Sequence, residues 1–110
     1  MITRYAIFHG TVKPGQETAF RAYVDERLTP LWRKFEGAAQ VRVMFREDHD
    51  PNGPSIPLIL AIDYRDRDAM ARALDSPARY ESRDLLPALY ENYLDGVLHH
   101  YVMEIEVYTD

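Results

Sequence analysis

The chain has no cysteine. Disulfides, thiolate nucleophiles and Cys-bound zinc or iron–sulfur centres are thereby excluded. It has no apolar run approaching the roughly 18 residues a membrane-spanning helix needs. Basic residues are in deficit: 13 Lys and Arg stand against 18 Asp and Glu, for a net charge of −5. Phosphate backbones are bound by clustered Lys and Arg, so this balance argues against nucleic acid and against an anionic membrane surface. Glycine is sparse, 5 residues in 110. No phosphate loop, dinucleotide fingerprint, zinc-protease motif or Ser-His-Asp spacing occurs. Internal repeats and low-complexity segments are absent as well.

What is present is ordinary in amount and informative in order. Hydrophobic residues are 46% and charged residues 28%, as in soluble globular proteins. A chain of 110 residues supports one domain over positions 1–110 with one modest core. Met1-Ile2-Thr3-Arg4-Tyr5 enters a strand pattern at once, which leaves no room for a signal peptide and makes a cytoplasmic protein the expectation. Residues 4–12 are β-rich, and Lys13-Pro14-Gly15 breaks them. From Gln16, the residues Phe20, Tyr23, Val24, Leu28, Leu31, Trp32 and Phe35 recur at helical spacing. Pro30 cannot donate to the carbonyl of Glu26, so a bend or restart is expected there, and Gly37 ends the helix. Residues 39–47 alternate as a strand, with Val41, Val43 and Phe45 on one side.

Asp48-His49-Asp50-Pro51-Asn52-Gly53-Pro54 is a polar turn. It opens like a calcium loop, but its twelfth position is Ile59, where a bidentate Glu is required, so a hairpin loop is the better reading. Residues 56–64 form a strongly apolar strand. Asp66 is a helix N-cap for a stretch through Leu74. Ser76-Pro77 starts a second helical segment with a kink at Pro87, and Gly96 is read as its terminator. Residues 98–108 are the last strand.

Strand, helix, strand, strand, helix, strand is the order of a ferredoxin-like βαββαβ domain, an α+β fold with a four-stranded antiparallel sheet and helices on one face. The other face is expected to carry Phe8, Met44, Ile59, Ala61 and Val102 among the charges of Arg42, Arg46, Glu104 and Glu106, too apolar to stay solvated and too polar for a core. A second copy packed sheet to sheet resolves this, so a homodimer is expected; the plainer alternative is a monomer with a mixed outer face.

Val12-Lys13-Pro14-Gly15-Gln16-Glu17 after the first strand, Leu28-Thr29-Pro30-Leu31 followed by Gly37 and the Val41-x-Val43 strand, and Ala73-Leu74-Asp75-Ser76-Pro77 ahead of a Tyr-containing helix and a His- and Tyr-rich last strand together resemble the dimeric α/β-barrel superfamily. Within it they are similar to the EthD-like (ethyl tert-butyl ether degradation) and antibiotic-biosynthesis-monooxygenase-like families. The resemblance implies two sheets packed as a dimeric α/β barrel. It implies membership of a group that includes cofactor-free oxygenases, isomerases and haem-handling proteins. Trp32 and His99 stand as counterparts of the Trp and His of the cofactor-free oxygenases, and no Asn counterpart is found.

A cleft between sheet and helices is the natural place for a small ligand in this fold. The helix-facing set is expected to be Val41, Val43, Leu58, Leu60, Ile62, Met103, Ile105 and Ile7. Alternation then brings Tyr5 and His9 with Ile7, and Tyr101 and His99 with Met103, onto the same side as Tyr64. His9 and His99 are therefore the candidate acid/base residues, since histidine moves protons near neutral pH. Trp32, Tyr64, Tyr101 and Tyr5 are the candidate substrate-binding residues, able to stack on a ring or orient an oxygen. The plain alternative is that both histidines are merely hydrogen-bonded at strand ends, and that Trp32 is core.

Tyr80, Tyr90 and Tyr93 form a second aromatic group suited to a cleft or an interface. A metal site would need His9 with a carboxylate such as Asp63, because His99 and His100 point to opposite faces; neither a metal nor an organic cofactor is expected. Three functions follow: an enzyme acting without a cofactor on a small aromatic, polyketide-like or lactone compound; a non-catalytic binding or interaction protein; and haem handling through a single histidine.

Overall fold

A computed structural model describes residues 1–109 of the chain. Four strands, β1 (Ile2–Val12), β2 (Ala38–Phe45), β3 (Leu58–Tyr64) and β4 (Leu94–Glu104), form one antiparallel sheet in the order β2-β3-β1-β4. Five helices, α1 (Glu17–Tyr23), α2 (Thr29–Trp32), α3 (Arg67–Leu74), α4 (Pro77–Asp84) and α5 (Leu86–Asn92), make the two crossovers. This is the expected α+β, ferredoxin-like arrangement.

Pro30 shapes the first crossover. Its ring would collide with the carbonyl four residues back, and it has no N–H to offer. The chain responds with a π-helical turn over Val24–Leu28, in which the Thr29 N–H reaches back to the Val24 carbonyl. Regular bonding resumes with Arg33 N–H to Thr29 O at 3.0 Å. The wider turn keeps Val24, Leu28 and Trp32 on the buried side. In the second crossover, Asp66 caps α3 as expected, its carboxylate accepting the Ala69 N–H at 2.8 Å. Pro77 occupies the first turn of α4 and Pro87 that of α5, where a missing N–H costs nothing.

Residues paired across a sheet share a face. Phe8 is opposite Leu58 and Leu98, Ala6 opposite Leu60 and His100, and Arg4 opposite Ile62 and Val102. Ala6, Phe8, Leu58, Leu60, Ile62 and Tyr64 are all buried in one core with Phe20, Leu28, Trp32 and Leu89. The helix-covered face of β1 and β4 is therefore the even-numbered one. The expected assignment of Tyr5, Ile7, His9, His99, Tyr101 and Met103 to that face is corrected: these residues lie on the uncovered face. The assignment of Phe8 and Val102 to the outer face is corrected with it. Both faces of β1 are apolar, so alternation separates its side chains into two sets without saying which set meets the helices.

The last strand also differs from expectation. It runs from Leu94 to Glu104 rather than over residues 98–108, and Gly96 lies inside it instead of ending a helix. Gly96 pairs with Gly10. A Cβ on Gly96 would stand 1.9 Å from the His9 carbonyl oxygen, and one on Gly10 2.1 Å from that of Asp95. Backbone contact this close admits only glycine on both strands.

Candidate functional site

Beneath the helices, the sheet leaves a cavity of about 150 Å³. Its floor is Arg4, Ala6 and Phe8 of β1, Leu60 of β3, and Leu98 and His100 of β4. Its walls are Trp32 and Phe35 from the first crossover and Arg79, Ser82, Arg83 and Leu86 from the second. The aromatic and aliphatic part arises because β1 and β3 turn their bulky even-numbered residues inward. The polar part arises because Arg4 and His100 occupy the next even positions toward one end of the sheet, and α4 lays Arg79 over them. Ser82 Oγ bonds to the Arg79 carbonyl at 2.8 Å, and Arg79 Nη1 reaches the Leu74 carbonyl at 3.4 Å. The second crossover is held to the first by Tyr23, whose hydroxyl donates to the Leu85 carbonyl at 2.8 Å.

The electrostatics of this cleft are set by unpaired cations. Neither Arg4 nor Arg79 takes part in any ion pair among the described residues. Burial pushes the Arg4 guanidinium below its ordinary pKa, and the charge of Arg79 pushes in the same direction. His100 keeps one side open to solvent. Partial loss of water, followed by the charges of Arg4, Arg79 and His99, drives its pKa down to about 4. His100 is thus a neutral imidazole across the physiological range. Tyr64 sits in the adjoining row, fully buried, with no hydrogen-bond partner for its hydroxyl among the described residues. Burial raises its pKa to about 12, although Arg4 and Arg79 pull the other way. It stays a neutral donor.

Of the residues picked from the sequence, Trp32 lines the cavity and Tyr64 lies beside it. Tyr5, His9, His99 and Tyr101 do not. His9 and His99 do meet, with ring centroids 5.0 Å apart and planes tilted by 59°, but on the uncovered face. There the Nε2 of His9 is buried without a partner among the described residues. Tyr5, Ile7, Ile59, Tyr101 and Met103 line a shallow apolar depression on the same face. Asp63, considered as a metal partner for His9, instead accepts the Thr3 hydroxyl at 2.6 Å and faces Arg42 at 3.5 Å.

Arg4, Arg79 and His100 are the residues that sequence reasoning passed over. His100 was legible as pointing away from His99. Only the choice of face separated it from the cleft. Arg4 gave one usable signal: a cation two residues from Ala6 and four from Phe8, on a strand whose other even-numbered positions, Ile2, Ala6, Phe8, Gly10 and Val12, carry no polar side chain. Nothing in the sequence links it to Arg79, 75 residues away.

No protein-family model matches the chain, and no curated protein matches it in sequence. Solved structures do match in shape. An ethyl tert-butyl ether degradation (EthD) family protein from Bacillus halodurans superposes with a TM-score of 0.74 at 19% identity, covering 96% of this chain and all of the other (100%). A variant of SnoaB, a cofactor-independent oxygenase from Streptomyces nogalater, gives 0.65 at 19% identity, covering 97% and 94%. A DABB family protein with a ferredoxin-like fold from Mesorhizobium loti gives 0.67 at 9% identity, covering 96% and 98%. The groups to which the sequence motifs pointed are those among which the structure finds its likenesses, and the chain has the ferredoxin-like fold that they share.

Proposed function

We propose that the chain is a small-molecule enzyme that works without an organic cofactor, an oxygenase or isomerase acting on a small aromatic or lactone compound held in the cleft between helices and sheet. The observation that carries this reading is a neutral, partly exposed imidazole, His100, lining a cavity that is apolar on one side and carries Arg4, Arg79 and Arg83 on the other, with no counter-ion to Arg4 or Arg79 among the described residues. A base must be unprotonated to accept a proton. The carbanion, enolate or phenolate that its action leaves behind is stabilised by the partly buried cations beside it. His100 takes a proton from an activated C–H or O–H of the ligand, and the electron pair stays on the ligand next to Arg4. The forming negative charge offsets the cations that depress the His100 pKa, so the imidazole becomes a stronger base as the transfer proceeds.

The proton then returns to a different carbon, which is an isomerisation, or the electron-rich ligand reacts with molecular oxygen. The likeness to a cofactor-independent oxygenase supports the second outcome. Trp32 and Phe8 supply ring faces for stacking. The acid/base role expected of His9 and His99 passes, on this reading, to His100. A second copy of the chain covers the uncovered face, where Val97, Tyr101 and Met103 are each about half exposed on a surface with several other apolar neighbours.

The test is turnover by purified variants on a panel of phenols, lactones and enolisable ketones with oxygen present or excluded. His100→Ala is expected to lose at least about a hundredfold in kcat, in the range of general base removal, while His9→Ala and His99→Ala keep most of it. Full activity in His100→Ala overturns the assignment. Ligand binding without turnover anywhere in the panel would favour the alternative of a non-catalytic binding protein.

A further inference from the structure

We propose that the ligand of this cleft is a small aromatic carboxylate, with its acid group held between Arg4 and Arg79 and its ring lying against Trp32 and Phe8. The inference rests on the reading of the cleft as a ligand site and adds the charge and size of what it takes. Three observations carry it.

The first is charge. Arg4, Arg79 and Arg83 line one cavity, and no carboxylate among the described residues lines it with them. Two guanidiniums close enough to act on each other repel, and half-burial removes part of the water that would screen them. An anion placed between them relieves both costs. Planar guanidinium forks match a carboxylate in pairs, where an ammonium group would not.

The second is composition. Away from the arginines, Ser82 and His100, the wall is apolar, made by Ala6, Phe8, Trp32, Phe35, Leu60, Leu86 and Leu98. An inorganic anion would leave these side chains facing empty space. A ligand with one charged end and one apolar end uses the whole surface.

The third is volume. About 150 Å³ is the size of the engineered apolar cavity that binds benzene in a well-studied lysozyme. It is below the several hundred Å³ usual for drug-sized ligands. One ring with a short acid substituent fits, whereas a polycyclic body does not.

The experiment uses Trp32 as its own reporter. It is the sole tryptophan of the chain and a wall of the cavity, so its fluorescence reports occupancy without any turnover. Benzoate and the neutral isostere benzamide are titrated at neutral pH into the intact protein and into Arg4→Gln and Arg79→Gln. Benzoate is expected to change the emission and to bind at least about tenfold more tightly than benzamide, a difference of about 1.4 kcal/mol. Either substitution is expected to abolish that preference. Arg79 lies on a helix and is partly exposed, so Arg79→Gln decides the matter if Arg4→Gln does not fold by near-ultraviolet circular dichroism. Equal binding of the two probes overturns the anion assignment while leaving the cleft a ligand site. No response to either probe, or benzoate binding undiminished in Arg79→Gln, also overturns it. Tight benzoate binding combined with full activity of His100→Ala would keep this inference and defeat the catalytic one.

Discussion

At the scale of single residues, His100 is the most informative side chain. Its pKa in the fold, about 4, lies below the 6.5 of a free histidine. The unfolded chain takes up a proton as pH falls through about 6.5, and the folded chain resists until about 4, so the fold loses stability across that window on acidification. Above 6.5 both states are neutral and no penalty remains. Because one side of His100 is open to water, solvent screening reduces the energetic effect. The imidazole resonances of His100, followed by nuclear magnetic resonance, are expected to titrate well below those of a free histidine. Arg79→Gln is expected to move the midpoint upward. An unshifted midpoint in both proteins would remove the cations from its environment and with them the basis for a neutral base in the cleft. Trp32 was readable from helical spacing as an inward residue. Whether it was core or cleft was not, because both readings need the same periodicity, and it proves to be a buried wall of a cavity.

At the scale of elements, the sequence signals worked where local sterics govern. Pro30, Asp66 and Pro77 each act within one turn of themselves, and the bend, cap and helix start they announced are present. The signal failed at the start of the last strand. Gly96 resembles a helix stop when read locally. Its actual role depends on Gly10, 86 positions earlier, and on the two strands approaching too closely for any side chain. Gly96→Ala is expected to destabilise the fold by at least about 2 kcal/mol, in the range of severe overpacking, and to lower the urea midpoint of unfolding accordingly. An unchanged midpoint would mean that β1 and β4 separate there without cost. Faces were the other failure. Tyr5 and Ile7 are as apolar as Ala6 and Phe8, so period-2 alternation could sort β1 into two sets but could not orient it. That one undecided sign carried four of the six candidate site residues to the wrong side of the sheet.

At the scale of the whole molecule, the helices protect one face of the sheet and leave the other open. Ile59, Tyr5 and Ile7 stand there beside Tyr101 and Met103, with Asp63 already tied to Thr3 and Arg42. A copy of the same face offers the same apolar centre and the same self-satisfied polar group, which suits an isologous two-fold contact. Sedimentation equilibrium at micromolar concentration is expected to give twice the chain mass. Tyr101→Asp is expected to give the single mass with circular dichroism retained. A single mass for the unaltered chain would overturn the dimer. The cleft lies on the opposite side of the sheet, and its floor is the same β1 and β4 whose other face the second copy would press. Ligand binding and association are therefore expected to share strands without sharing residues.

What the sequence by itself determined is the order of the elements, the bend at Pro30, the cap at Asp66 and the helix start at Pro77, and from the order the ferredoxin-like fold, because each depends on a residue's own backbone preferences and on nearest-neighbour periodicity. What only the tertiary structure decided is which face of β1 and β4 meets the helices, and hence that Arg4, Arg79 and His100 share one cavity while His9 and His99 meet on the far side. That choice is made by cross-strand register and by how Phe8, Leu58 and Leu60 fill the space under the helices, a packing energy spread over residues distant in the chain.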